Sequence, residues 1–182
     1  MKILRCDEDA LREAASVLLG GGVAVIPTDT VYGLAAHPGR PEAVERLYTI
    51  KGREAKKPIA LLAADAAAAE NFAGGFPAAA SALTRHWPGA LTLVVNGEGL
   101  RVPDHAWTRR LLAACGGCLR VTSANLSGRR AATDAPGALA DVGLSADLVL
   151  DDGVSPGGTP STVVRLREDG STELLRAGAV TL

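Results

Sequence analysis

The chain has 182 residues, enough for one domain with a substantial hydrophobic core, and we expect a single domain over residues 1–182. Its formal net charge is −1 at pH 7, so the chain lacks the net positive charge that is typical of a dedicated nucleic-acid-binding protein. The first 20 residues contain no apolar signal-peptide core, and no stretch reaches the roughly 18 uninterrupted apolar residues of a membrane helix. We therefore expect a cytoplasmic protein with no membrane partner, in which any anion site is local.

Helices and strands alternate along the chain without a strict βαβ rhythm. In chain order we predict a helix at 10–19, a strand at 23–26, a helix at 41–50, a short apolar run at 59–63, helices at 65–72 and 77–87, a strand at 91–95, a helix at 106–114, a strand at 119–122, a helix at 134–142, and strands at 148–150, 162–166 and 173–176. The main segment without predicted structure is 153–161. This pattern favours an α/β fold with helices packed on a mixed sheet, and it leaves the strand order open.

A polar segment begins where the apolar run 23–26 ends. It reads Pro-Thr-Asp-Thr-Val-Tyr-Gly-Leu over 27–34, so hydroxyls, a carboxylate and a phenol follow a predicted strand directly. We predict that four further polar segments also follow strands, at 87–92, 101–103, 122–128 and 158–163. Because strand ends on one side of an open sheet converge on a crevice, we expect these segments to form one ligand site.

The chain has only four lysines, and three of them, Lys51, Lys56 and Lys57, lie in one segment with Arg53. In an extended segment, Lys51 and Arg53 would point the same way. Arg matches phosphate oxygens with two parallel hydrogen bonds and Lys acts as a mobile point charge, so this pair with Lys57 suits a polyphosphate. The alternative is a solvated basic loop at the end of a helix, where the helix dipole also favours positive charge.

Hydroxyl groups are prominent in the other polar segments. Taken singly, Thr28, Thr30, Ser123 and Ser161 are typical of caps and turns. Ser123 and Asn125 are two residues apart, a spacing at which both side chains can address one ligand. Beside the basic segment, these groups predict a polar pocket for a small zwitterion next to an anion. The sequence has no P-loop, dinucleotide fingerprint, nucleophile elbow or metal-binding histidine pair, so side chains and strand-end amides would hold a phosphate.

Cys115 and Cys118 have the C-x-x-C spacing that zinc and redox sites use. A structural zinc would need two more ligands, and the other cysteine and the histidines show no paired spacing. The pair also follows a predicted helix, whose negative C-terminal end disfavours a thiolate. We therefore predict a plain Gly-Gly turn between a helix and a strand.

Taken together, the motifs closely resemble the YrdC/TsaC family. They are Pro-Thr-Asp-Thr-Val-Tyr-Gly-Leu at 27–34, Lys-Gly-Arg at 51–53, Lys-Pro at 57–58, Trp-Pro-Gly at 87–89, Arg-Val-Pro at 101–103, Ser-Ala-Asn-Leu-Ser-Gly at 123–128 and Ser-Thr-Val at 161–163. They occur in the family's order and at similar spacing between residues 21 and 178. The resemblance implies a single-domain twisted mixed β-sheet with flanking helices and a central positively charged cavity.

Proteins of this family are threonylcarbamoyl-AMP synthases, so the resemblance implies a reaction of ATP, L-threonine and bicarbonate, normally with magnesium. The product would be threonylcarbamoyl-AMP, which a tRNA threonylcarbamoyl-transferase complex uses. By resemblance, threonine would be held by Thr30, Arg101 and Ser161. The nucleotide and its phosphates would be held by Lys51, Arg53, Lys57, Ser123, Asn125 and Arg176. Lys51 and Arg53 would be the catalytic pair, acting by alignment and charge neutralisation without a covalent intermediate.

Two positions depart from the family's pattern. Cys118 stands where relatives often have proline, and Leu62 stands where some longer relatives have a histidine near threonine.

The ligands of magnesium and the function both have alternatives. The magnesium ligands stay open among Asp29, Asp151 and Asp152. An alternative function is a module of the same fold that binds double-stranded RNA, but the near-neutral charge predicts weak or absent RNA binding. Carbamoyl transfer, as in hydrogenase-maturation proteins with a similar domain, would need modules for which this length leaves no room.

Overall fold

The computed structural model describes residues 2–53 and 58–181, and in these ranges ten strands form one mixed sheet. The strands are β1 (Lys2–Arg5), β2 (Val23–Ile26), β3 (Gly33–Ala36), β4 (Leu61–Ala63), β5 (Leu91–Val95), β6 (Glu98–Arg101), β7 (Cys118–Ser123), β8 (Leu148–Asp151), β9 (Thr162–Leu166) and β10 (Thr172–Arg176). Their order across the sheet is β1-β8-β2-β3-β7-β4-β6-β5-β9-β10. This confirms the expected mixed sheet and supplies the strand order that the sequence left open.

Six α-helices flank the sheet in the described ranges. They are α1 (Glu8–Leu19), α2 (Pro41–Lys51), α3 (Ala66–Ala73), α4 (Ser81–Thr84), α5 (Ala106–Ala114) and α6 (Ala135–Asp141), with short 3-10 turns at Ala78–Ala80 and Gly143–Ser145. Aspartate side chains start three of them, because the carboxylates of Asp7, Asp65 and Asp134 each accept from a first-turn backbone N–H at 2.8 Å. No helix in the described part of the chain is both long and apolar enough to cross a membrane.

Most predicted elements are present within a residue or two of their expected ends. The helix expected at 77–87 is wrong in extent. The chain there makes only a 3-10 turn and the four-residue α4, after which the N–H groups of His86 and Trp87 bond three residues back. Strands β1, β3 and β6 were not predicted. The sequence of β3 is Gly-Leu-Ala-Ala, which lacks the β-branched and aromatic residues that indicate strands.

The two halves of the sheet are covered differently. Around β2, β3 and β8, helices α1 and α5 pack on one face through an apolar cluster that includes Leu18 and Leu111, and α2 and α6 pack on the other through a cluster that includes Leu47 and Ala138. In the other half, α3 and α4 cover only the face that carries Leu93. On the opposite face of strands β4, β6, β5 and β9, the sheet forms the floor of a cavity.

Candidate active site

The cavity has a volume of about 1780 Å³ and is floored by alternate residues of neighbouring strands. Thr92 of β5, Arg101 of β6 and Val163 of β9 line it, whereas the intervening Leu93, Leu100 and Val164 belong to the core. This follows from the two-residue period of a strand, which sends successive side chains to opposite faces. The site is therefore built on a face of the sheet.

The expectation that all the polar segments follow strands is wrong for two of them. The segments 87–92 and 158–163 lie at the beginnings of β5 and β9. Both strands run antiparallel to β6, so their starts lie beside the end of β6, where Arg101 lies. The polar segments meet as expected. They do so because β5 and β9 run opposite to β6, and not because every segment follows a strand.

One end of the cavity contains a hydroxyl–arginine cluster, formed by Thr30, Thr92, Arg101, Ser161 and Arg176. The Arg101 side chain is buried, and its guanidinium donates from Nη1 to Thr30 Oγ1 at 2.8 Å. It also donates from Nε to the carbonyl of Gly89 at 2.8 Å and from Nη2 to the Asp29 carboxylate. Burial lowers the pKa of Arg101, and the Asp29 carboxylate opposes that shift.

Thr30 is oriented by its own turn. Thr28 Oγ1 donates to the Val31 carbonyl at 2.7 Å and accepts from the Thr30 N–H at 3.1 Å, which is the short-range bonding that threonine makes in turns. The turn is tied to α5 because the buried Thr108 hydroxyl donates to the Pro27 carbonyl at 2.8 Å. The Thr30 hydroxyl is thereby fixed beside Arg101.

Ser161 connects two further members of the cluster. Its hydroxyl lies 2.8 Å from Thr92 Oγ1, and it accepts from Arg176 Nη2 at 3.1 Å. Gly178 packs against this segment so closely that an added Cβ would lie 2.4 Å from the Pro160 carbonyl oxygen. The sequence placed the segment 87–92 at the expected site but gave Thr92 no binding role of its own. Its signal was a single hydroxyl inside the apolar strand Leu-Thr-Leu-Val-Val.

A lysine–arginine cluster of Lys51 and Arg53 also lines the cavity, together with Ser123 and Asn125. Lys51 is the last residue of α2, and Gly52 follows with φ of 59°, the left-handed conformation that ends many helices. The extended i, i+2 arrangement expected for Lys51 and Arg53 is therefore wrong, although both reach the cavity. Lys57 lies outside the described residues.

The Lys51 ammonium is buried and holds the segment after β7. It donates to the backbone carbonyl of Asn125 at 2.8 Å and to the carbonyl of Ser123. Burial, with a smaller contribution from the nearby Arg53, lowers the pKa of Lys51 to about 8. No carboxylate in the described residues bonds this ammonium.

Arg53 is half-buried and weakly held. Its terminal nitrogens lie 3.4 Å from Thr122 Oγ1 and 3.2 Å from the Pro58 carbonyl. Its Nε is buried and has no partner among the described residues. An arginine with an unsatisfied donor beside a cavity is suited to accept an anion.

The described lining of the cavity carries an excess of positive charge. Its cations are Lys51, Arg53, Arg101, Arg165, Arg167 and Arg176, and its anions are Glu168 and Asp169. The expected positively charged cavity is confirmed for this part of the chain.

The residues described do not build a protein-held magnesium site. Asp29 is paired with Arg101, Asp152 lies 3.1 Å from His105 Nε2, and Asp151 accepts from the Gly153 N–H at 3.0 Å. None of the three lines the cavity, and no group of three or more His, Cys, Asp or Glu in the described ranges could hold a metal ion. Mg²⁺ needs oxygen ligands close to the phosphates it serves, which these carboxylates do not provide.

The two departures from the family's pattern differ in their relation to the cavity. Leu62 is 5% exposed and lines it, so the wall there is apolar. Cys118 starts β7, away from the lining. Cys115 and Cys118 flank two glycines with φ of 83° and 103°, as the predicted turn requires, and both are free thiols.

The sequence profile of the family Sua5/YciO/YrdC, described as "Telomere recombination", matches residues 16–178. The chain belongs to this family. Over 98% of its length it is 32% identical to a threonylcarbamoyl-AMP synthase of Bacillus subtilis, of which it spans 56%. A threonylcarbamoyl-AMP synthase of Nitrosococcus oceani is 32% identical over 81% of the chain and 88% of that protein.

The fold also matches a solved structure. The crystal structure of P. abyssi Sua5 complexed with L-threonine superimposes with a TM-score of 0.90 at 31% identity, covering 98% of this chain and 57% of that one. The chain thus spans little more than half of the Bacillus subtilis and P. abyssi proteins.

Proposed function

We propose that the chain is a threonylcarbamoyl-AMP synthase, which converts ATP, L-threonine and bicarbonate into threonylcarbamoyl-AMP, pyrophosphate and water. The observation that carries this proposal is the composition of the cavity. It joins the hydroxyl–arginine cluster, in which every member except Arg176 is buried and which suits a hydroxylated amino acid, to a lysine–arginine cluster suited to phosphates. Relatives named for this activity are 32% identical to the chain.

The hydroxyl–arginine cluster would hold threonine. Arg101 would pair with the α-carboxylate, and the hydroxyls of Thr30 and Ser161 would recognise the hydroxyl of the substrate. Valine has the same shape but no hydroxyl, so it would lose the hydrogen bonds that these groups would make to threonine, although each hydroxyl keeps its partner within the protein.

The lysine–arginine cluster would hold the nucleotide. Lys51, Arg53 and Lys57 would bind the phosphates, and Ser123 and Asn125 would complete that part of the nucleotide site. Arg176 donates to Ser161 in the hydroxyl–arginine cluster, and burial together with the nearby charge of Arg53 lowers its pKa, so it would reach the nucleotide from the border between the two clusters. Magnesium would arrive on the phosphates of ATP as part of the substrate, since the described carboxylates are engaged elsewhere.

Chemically, the α-amino group of threonine and bicarbonate would form an N-carboxylate with loss of water. A carboxylate oxygen would then form a bond to the α-phosphorus as the bond to pyrophosphate breaks. Such a nucleophile is weak, and Lys51 and Arg53 would act by aligning it and neutralising the charge that develops on the phosphates. No covalent enzyme intermediate is needed.

Mass spectrometry of the products formed from ATP, threonine and bicarbonate tests this proposal directly. We expect a threonylcarbamoyl adenylate and pyrophosphate only when all three substrates are present, and far less product with valine. The reaction should need no RNA, since the transferase that consumes the product would be the component that needs tRNA. Pyrophosphate release that ignores threonine, or that appears only with RNA, would refute the synthase function and favour RNA binding.

A further inference from the structure

Asp29 lies directly behind the amino-acid end of the cavity. Its carboxylate accepts from Arg101 Nη2, and the two side chains are 12% and 6% exposed. Arg101 and Thr30 line the cavity, whereas Asp29 does not. Its carboxylate is therefore placed to act on a ligand only through Arg101.

The hydrogen bonds of Arg101 define which of its N–H groups remain for a ligand. A guanidinium has five N–H donors. Three are used by the Gly89 carbonyl, the Thr30 hydroxyl and the Asp29 carboxylate. One N–H on each terminal nitrogen has no partner in the described part of the chain, which is the number that a bidentate carboxylate takes.

The backbone of Asp29 also holds the segment that leads to Ser161. Its carbonyl oxygen accepts from the Gly157 N–H at 2.9 Å. An added Cβ on Gly157 would lie 2.6 Å from the same oxygen, so the two backbones are in direct contact. Asp29 thus joins its neighbour Thr30, the Arg101 side chain and the Ser161 segment, which come from three distant parts of the sequence.

We propose that Asp29 is a positioning residue for the amino-acid substrate, holding the Arg101 guanidinium so that its two remaining N–H groups meet the α-carboxylate. This inference rests on the proposed function. Asp29 also balances the buried positive charge of Arg101, which makes Arg101 less costly to bury before the substrate binds. Without the carboxylate, the guanidinium could turn toward other acceptors. Its two remaining N–H groups would then no longer be aligned with the α-carboxylate of threonine.

The test is the isosteric substitution Asp29→Asn in the full chain. The KM for threonine and the Kd for threonine by calorimetry should each rise at least about tenfold, since a charge-assisted hydrogen bond is lost. The KM for ATP should change less than about twofold, because the nucleotide site uses other groups. Asp29→Glu keeps the charge and should restore part of the threonine affinity. It also provides the comparison if the asparagine variant does not fold.

Asp104→Asn is the matched control, because Asp104 pairs with Arg109 at 3.2 Å but is 65% exposed. It should leave both KM values unchanged. The positioning role would be overturned if Asp29→Asn changed the KM for threonine and the KM for ATP equally, or if this variant bound threonine with wild-type affinity. If the wild-type chain makes no threonylcarbamoyl-AMP, the synthase function fails, and the calorimetric comparison still decides the role of Asp29. A wild-type chain that binds no threonine would overturn both.

Discussion

The hydroxyl oxygens of Thr92 and Ser161 lie 2.8 Å apart, although the residues are separated by 69 positions in the sequence. The parallel pairing of β5 with β9 brings them together, and both side chains are buried. Because the same Ser161 hydroxyl accepts from Arg176, the three residues form one hydrogen-bonded row in the hydroxyl–arginine cluster.

Thr92→Val should therefore weaken the use of threonine. Valine preserves the shape of the side chain and suits a strand, so the thermal midpoint should change little. The lost hydroxyl leaves the Ser161 hydroxyl short of a partner, and kcat/KM for threonine should fall about tenfold. Steady-state kinetics at saturating ATP measures this, with the exposed Thr172→Val as control. Unchanged kinetics would mean that Ser161 acts without Thr92.

Arg53→Ala should remove most of the activity and leave the fold intact. The guanidinium makes only long contacts with the described residues, so its removal costs little stability. Its charge would be lost from the transition state, and kcat/KM for ATP should fall more than about tenfold. The exposed Arg12→Ala is the control. If Arg53→Ala leaves the kinetics unchanged, the basic segment that contains Arg53 is a solvated loop without a role in catalysis.

The pH dependence of kcat/KM for ATP should reveal the deprotonation of Lys51. Its folded pKa of about 8 lies below its ordinary value of 10.5, so between these values the unfolded chain binds more protons. Its contribution to the free energy of unfolding therefore rises with pH across that window. The ammonium loses its charge in the same range, so kcat/KM for ATP, which reports on the free enzyme, should decline above about pH 8. Lys51→Arg, whose charge persists, should lack this decline, and a wild-type profile flat to high pH would contradict the role.

The three thiols should be unreactive in the folded protein. Burial raises the pKa of Cys115 and Cys118 to about 11, and burial with nearby carboxylates raises the pKa of Cys6 to about 12. A thiol reagent should label all three much faster in denaturant than in buffer. Replacing both Cys115 and Cys118 with Ala should change neither activity nor metal content. Stoichiometric zinc that the double variant loses would overturn this.

Local features of the sequence determined much of the fold and part of the site. The sequence predicted helices α1, α3 and α6, and the structure shows that Asp7, Asp65 and Asp134 cap their first turns. Such signals act within a few residues and can therefore be found in the sequence. The sequence also identified Thr30, Arg101 and Ser161 as candidates, through motifs that combine a strand with polar residues. The tertiary structure places these three in one cluster.

Only the tertiary structure decided which strands are neighbours and which groups are already paired. A two-residue period tells which side chains share a face of one strand, but it does not tell which strand lies beside it. Thr92 is part of the site because β5 pairs with β9, and Asp29 is a partner of Arg101 because β6 ends beside the turn after β2. Such contacts join residues that are far apart in the sequence, and no local pattern encodes them.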